Sequence, residues 1–274
     1  FWVFVFPVLL AVALGIALVV LEIFLRVANP FNFRVKDEKI ILPINQMYTV
    51  EDVNIEGLDD TVTHTKNGLG FRGPELPESF ESHLTIVATG GSTTESFYIS
   101  DGKDWPNVLQ KNFEPVFKNL WLNNAGFDGF STFGQQTLLE DTLVPLKPDV
   151  ALFLTGINDV GAEKPTNADV GSAVLSLSNK SEVASLVLNI YRAYHAKNMG
   201  LGHARIVLSQ VPIHGGALDE ASILSEYQNH LPGYRQRLKT LIETAKSAGI
   251  EPVFITQPAF YGNAIDPKTG VDLG

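Results

Sequence analysis

The chain has 274 residues, 45% of them hydrophobic, and a net charge of −10 with a pI near 5.0. That is enough apolar material for one sizeable core, and an acidic balance with no Lys/Arg cluster argues against a nucleic-acid partner. The absence of cysteine excludes disulfides, thiolate metal sites and a cysteine nucleophile, and the six histidines show no metal-ligand spacing, so no metal is expected.

The chain opens on FWVFVFPVLLAVALGIALVVL, 21 residues without a charge before Glu22. A helix needs about 20 apolar residues to cross the bilayer core. A cleaved signal peptide has an apolar run of about 7–15 residues ending near a small-residue site; this run is longer and continues as LEIFLRVANP. The expectation is one transmembrane anchor over residues 1–27. A lead segment, 28–83, follows; it is polar and turn-rich, with KNGLGFRGPELPE dense in Gly and Pro.

From residue 84 to 274 the pattern becomes regular. Short β-branched apolar runs at 84–89, 119–123, 149–155, 205–211 and 250–256 suit parallel strands covered on both faces. Between them lie segments of helical period. One face carries Val183, Leu186, Val187, Ile190, Tyr191 and Tyr194. Another carries Tyr234, Leu238, Leu241, Ala245 and Ala248 before an Ala-Gly stop. The alternation predicts an α/β three-layer sandwich with a mainly parallel five-stranded sheet. In such sheets ligands bind at the carboxyl ends of the strands.

Three consecutive strand exits carry chemistry. The first runs into Gly90-Gly91-Ser92. The second runs into NNAGFDG, with Asn124, Gly126 and Gly129. The third runs into TGINDV, with Gly156, Asn158 and Asp159. Each alone reads as ordinary turn chemistry: a helix N-cap, a glycine-rich turn, an Asx turn. Phosphate cradles of the form G-x-x-x-x-G-K-[ST] or G-x-G-x-x-G are absent, as is a G-x-S-x-G elbow. Ester cleavage through a serine needs the inventory the three exits share, a hydroxyl nucleophile and donors for a developing oxyanion.

In their order and spacing, GGSTTES, NAGFDG and GIND resemble the SGNH (GDSL-type) hydrolase family, over roughly residues 65–258. The resemblance implies a flavodoxin-like sheet with Ser92 as nucleophile. It also implies an oxyanion hole made of the Ser92 N–H, the Gly126 N–H and the Asn158 side chain. The upstream NGLGFRGPE resembles the lead segment of membrane-anchored bacterial members, which hold the catalytic domain outside the cytoplasm. Two departures stand out. Gly91 occupies the place where the family name implies Asp, and the family's Asp-x-x-His block is expected beyond Gly274. His214, in QVPIHGG after the fourth strand, is the substitute base within this sequence; His64, His83, His195, His203 and His230 precede the core or lie on or beside helices.

The activity implied is a serine esterase that hydrolyses or transfers an acyl group through a Ser92 acyl-enzyme, without cofactor. Its substrate would be an ester-bearing small molecule or an acylated carbohydrate of the cell envelope, with membrane attachment through residues 1–27. The other reading is a catalytically inactive binding or assembly domain on the same scaffold.

Overall fold

The computed structural model describes residues 2–28, 35–36, 39–40, 42–51, 53, 57–165, 181–184, 186–187, 190–191, 225, 227–257 and 265. The chain divides into two compact units, Phe1–Ile41 with Val170–Ser225, and Leu42–Asp169 with Glu226–Gly274.

The first unit contains α1 (Trp2–Ala28) and a short antiparallel pair, β1 (Val35–Lys36) and β2 (Lys39–Ile40). Val5–Val27 has a mean hydropathy of 2.9 and leaves most of its apolar side chains exposed, so α1 is long and apolar enough to cross a membrane. Its first charged residue, Glu22, accepts hydrogen bonds from Ser181 Oγ (2.8 Å) and from the N–H groups of Glu182 (2.9 Å) and Val183 (3.0 Å), where a second helical stretch begins. That carboxylate satisfies donors left open at a helix start. Along this stretch Val187, Ile190 and Tyr191 share a face as their spacing predicts, but the face is exposed. Periodicity says which residues lie together, not what covers them. Tyr194 falls outside the described residues.

The second unit is built on a parallel sheet of β5 (Leu84–Gly90), β6 (Leu120–Asn124), β7 (Val150–Thr155) and β8 (Glu251–Thr256), in the order β6-β5-β7-β8. These strands begin and end within a residue of the sequence expectation; the remaining expected strand, 205–211, lies outside the described residues. Side chains alternate across a strand, and here both sets are covered. Ile86, Ala88, Leu122 and Leu152 pack under Trp105, Leu109 and Phe113 of α3 (Trp105–Phe113), while Val87 and Phe153, pointing the other way, are also fully buried. Two further helices pack on each other, burying Leu138, Leu241 and Ala245: α4 (Thr132–Leu138), which runs through a π-helical turn into α5 (Val144–Leu146), and α6 (Leu231–Ser247). Of the face expected on α6, Leu241 and Ala245 are buried and Tyr234, Leu238 and Ala248 partly so. Gly249 (φ +80°) ends this run as the Ala-Gly signal requires.

The second unit also takes in the lead segment from Leu42 onward. Strands β3 (Gln46–Val50) and β4 (Val62–Lys66) pair antiparallel, and the alternation of β4 turns Val62, His64 and Lys66 inward. Beyond them Arg72 forms an antiparallel bridge to Asn124 at the end of β6.

Candidate active site

Strand β5 delivers the chain to Gly91, whose extended backbone (φ −81°, ψ −152°) caps a single helical turn, α2 (Ser92–Glu95). The Gly91 carbonyl accepts from the N–H groups of Thr94 and Glu95, both at 2.9 Å, and Ser96 closes the turn in the left-handed region at φ 52°. Ser92 and Thr93 face outward at the sheet rim, while Thr94 and Glu95 are buried. The Ser92 N–H opens the turn and has no partner among the described residues.

Gly90, Gly91 and Gly126 are there for space. A Cβ on Gly90 would stand 2.2 Å from Thr94 Oγ1, and one on Gly91 would stand 2.3 Å from Asn158 Nδ2. A Cβ on Gly126 would meet the Glu95 N at 2.4 Å and the Thr94 carbonyl carbon at 2.6 Å. The structure therefore brings all three exits against one helical turn, with Asn158 over Gly91 and Gly126 beside Thr94–Glu95.

Asn124, at the end of β6, organises the second exit. Fully buried, it donates through Nδ2 to the Thr94 carbonyl (2.6 Å) and to Asp104 Oδ1 (3.1 Å), and its Oδ1 accepts the Gly126 N–H at 2.9 Å. The N–H expected from sequence as an oxyanion donor is thus held by a neighbouring side chain. The Ala125 and Phe127 N–H groups bond to the carbonyls of Ala88 (2.7 Å) and Gly90 (3.0 Å), stitching this loop to the end of β5.

At the third exit Gly156 adopts φ +140°, which only glycine takes readily, and a 3₁₀ turn over Ile157–Asp159 follows. Asn158 donates one amide hydrogen to the Phe130 carbonyl at 2.9 Å, leaving its other amide hydrogen without a partner among the described residues. Asp159 points inward and is buried. It accepts from the Thr132 N–H (3.0 Å), from Thr132 Oγ1 (2.5 Å) and from Arg237 Nη2 (3.3 Å), and the Arg237 guanidinium stacks 4.4 Å from the Phe133 ring centroid. The adjacent Asn and Asp thus divide the work: one faces the rim and one pins the turn beneath it.

Sequence reasoning left the role of residues 28–83 unread, and here the site gains most. Arg72 is fully buried and donates to the carbonyls of Glu95 (2.7 Å), Ser96 (2.8 Å) and Ile99 (2.8 Å), with Asp104 Oδ2 at 3.5 Å. It therefore holds the end of the turn that presents Ser92. The signal was present in NGLGFRGPE, a lone arginine in a turn-rich run, but its partners lie more than twenty residues away. His64 stacks against Tyr48 (5.0 Å between centroids) and meets Phe97 edge-on at 4.9 Å. Burial, reinforced by the positive charges of Arg72 and Lys66, pushes its pKa down to about 4, so it is neutral at pH 7. Burial likewise pushes the Lys66 ammonium down, opposed by Glu95.

Of the other described histidines, His83 bonds to the Ser79 carbonyl and His230 lies 3.6 Å from Glu163. No hydrogen bond joins any of the three to Ser92 among the described residues. His195, His203 and His214 fall outside them.

Residues 88–270 match the GDSL-like Lipase/Acylhydrolase family, and the chain belongs to it. No curated protein matches. Among solved structures the chain is similar to TesA, with 14% identity and a TM-score of 0.36, covering 64% of this chain and 62% of that one. It is also similar to the psychrotrophic esterase EstA from Pseudoalteromonas sp. (13%, TM-score 0.35, 64% and 62%) and the acetyl xylan esterase AlAXEase (16%, TM-score 0.34, 67% and 63%). The chain thus spans less than two thirds of the length of these structures.

Proposed function

We propose that the protein is a serine esterase or acyl transferase with Ser92 as its nucleophile. In this reading Ser92 Oγ adds to an ester carbonyl, and its proton passes by way of a histidine to the departing alcohol. The acyl-enzyme is then resolved by water or by another hydroxyl. The oxyanion is met by the Ser92 N–H and the unpaired amide hydrogen of Asn158. Gly126, its N–H held by Asn124, acts chiefly through the close approach it permits, and joins the hole only if Asn124 releases it. In this reading the base is a histidine other than His64, His83 and His230, none of which is hydrogen-bonded to Ser92 among the described residues. The observation carrying this reading is the packing of Asn158 on Gly91, which brings an amide donor against the residue that precedes the exposed Ser92.

Family membership supports ester chemistry; the substrate is inferred from position. With α1 as a membrane anchor and the second unit outside the cytoplasm, O-acyl groups on envelope carbohydrate are within reach. The test is a fluorophosphonate probe on the full chain, with the adduct located by mass spectrometry. Labelling at Ser92, lost in Ser92→Ala, supports the esterase. A folded protein that takes no label would favour a binding or assembly domain.

A further inference from the structure

The second unit contains a buried ion pair that the reaction outlined above does not use. Lys66, at the end of β4, has a side chain only 1% exposed, and its Nζ lies 3.6 Å from Glu95 Oε1. The distance is that of an ion pair without a hydrogen bond, and Lys66 Nζ has no hydrogen-bond partner among the described residues. Glu95 is the last residue of α2 and is itself buried; its other oxygen, Oε2, accepts the Asp128 N–H at 2.6 Å. Asp128 belongs to the loop that carries Gly126, and Lys66 also stands 5.8 Å from the ring centroid of Phe127 in that loop.

Such an arrangement is a poor way to gain stability. Two ions taken out of water lose hydration that a 3.6 Å contact repays weakly, and apolar replacements of similar volume are often as stable or more so. The inward positions of β4 otherwise hold Val62 and the neutral His64, so a Met at 66 would suit the pattern. What the pair does accomplish is geometric. Glu95 links α2, which presents Ser92, to the loop packed against it by accepting the Asp128 N–H at 2.6 Å. Lys66 is the cation beside that carboxylate, 3.6 Å from its other oxygen.

We propose that Lys66 is a positioning residue for the Ser92 site, acting through Glu95 to fix the loop around Gly126 and Asp128 against α2. The proposal rests on the esterase reading for its effect on rate, but not for its effect on the loop, so the two can fail separately.

The experiment compares wild type, Lys66→Met, Glu95→Gln and the double variant as full chains. Two readouts are taken: the rate of fluorophosphonate labelling, and hydrogen exchange of the peptide covering 125–131. Lys66→Met should slow labelling by about 10- to 100-fold, the scale of a misplacement approaching 1 Å. It should also raise exchange in 125–131 by about 10-fold or more while leaving α6 unchanged. In the Glu95→Gln background Lys66→Met should add almost nothing, because the two act as one unit. Wild-type labelling and exchange in a folded Lys66→Met overturn the proposal, as do fully additive effects. If Lys66→Met does not fold, Glu95→Gln decides alone, and wild-type protection of 125–131 in that variant overturns the proposal. If wild type takes no label while exchange still rises in the variants, the esterase reading fails and the positioning role stands.

Discussion

Gly126→Ala is the sharpest test of how the three strand exits meet. The added Cβ would stand 2.4 Å from the Glu95 nitrogen and 2.6 Å from the Thr94 carbonyl carbon, where ordinary contact begins near 3.4 Å. Both obstructing atoms are backbone, and Arg72 and Asn124 hold that backbone through the Glu95 and Thr94 carbonyls, so neither side yields cheaply. The loop must therefore retreat from α2 by about 1 Å. Overpacking of this kind costs about 1–3 kcal/mol of stability, while a 1 Å misplacement beside the reacting atoms costs about 100-fold in rate. The folded variant should label at Ser92 about 100-fold more slowly, with a thermal midpoint lowered by about 2–12 °C. A folded Gly126→Ala that labels at the wild-type rate would refute the close packing of the loop on α2 as a determinant of reactivity.

Asn158→Ala removes the side-chain donor proposed for the oxyanion and should lower kcat by about 100- to 1000-fold on a p-nitrophenyl ester, with KM little changed and the circular dichroism intact. Arg72→Met leaves Asp104 buried beside an apolar side chain and frees three carbonyls; urea unfolding should register a loss of about 3–5 kcal/mol. His64 gives a pH signature. Its folded pKa of about 4 lies below the ordinary value of 6.5, so the unfolded chain takes up the proton first as pH falls. The stability due to neutral His64 is complete above about pH 6.5 and is lost on going down toward pH 4. The loss at pH 5 is about 2 kcal/mol relative to pH 7, and urea unfolding of His64→Phe should show that much less dependence between those two values.

The parts legible in the sequence were local. Four strands could be bounded to a residue because continuous apolar runs between polar turns leave few other solutions. Gly90-Gly91-Ser92, Gly126 and Asn158 could be singled out because a strand exit is where an α/β sheet exposes its backbone. What stayed hidden depended on pairing across the chain. Nothing near Arg72 indicates that its fork will meet carbonyls at 95, 96 and 99, nor does GIND reveal that its aspartate will be held by Thr132 and Arg237. The expected Gly126 donor illustrates a finer gap. Resemblance points to the residue, but only the folded chain brings the Asn124 oxygen onto its N–H.

The polar residues around the site follow a division of labour that stability alone would not produce. The sheet core is apolar, yet its carboxyl edge is backed by Lys66, Arg72, Glu95, Asp104, Asp159 and Arg237, all buried or nearly so. Ions in such places cost desolvation that apolar side chains would avoid. A leucine, however, can fill the space behind α2 without fixing any carbonyl there, whereas the planar guanidinium of Arg72 sets three of them at 2.7–2.8 Å in one fork. Arg237 does the same for the Asp159 turn, through Nη2 to the carboxylate and Nε to Thr132 Oγ1 at 2.6 Å. Exposed donors at a rim would otherwise drift among many orientations and have to be reordered during the proposed reaction. Holding their backbones from behind removes that cost in advance, since donors already aimed need no reorganisation when charge develops. The second unit gives up stability beneath the sheet edge and gains a fixed geometry above it, where Ser92 and Asn158 face the solvent.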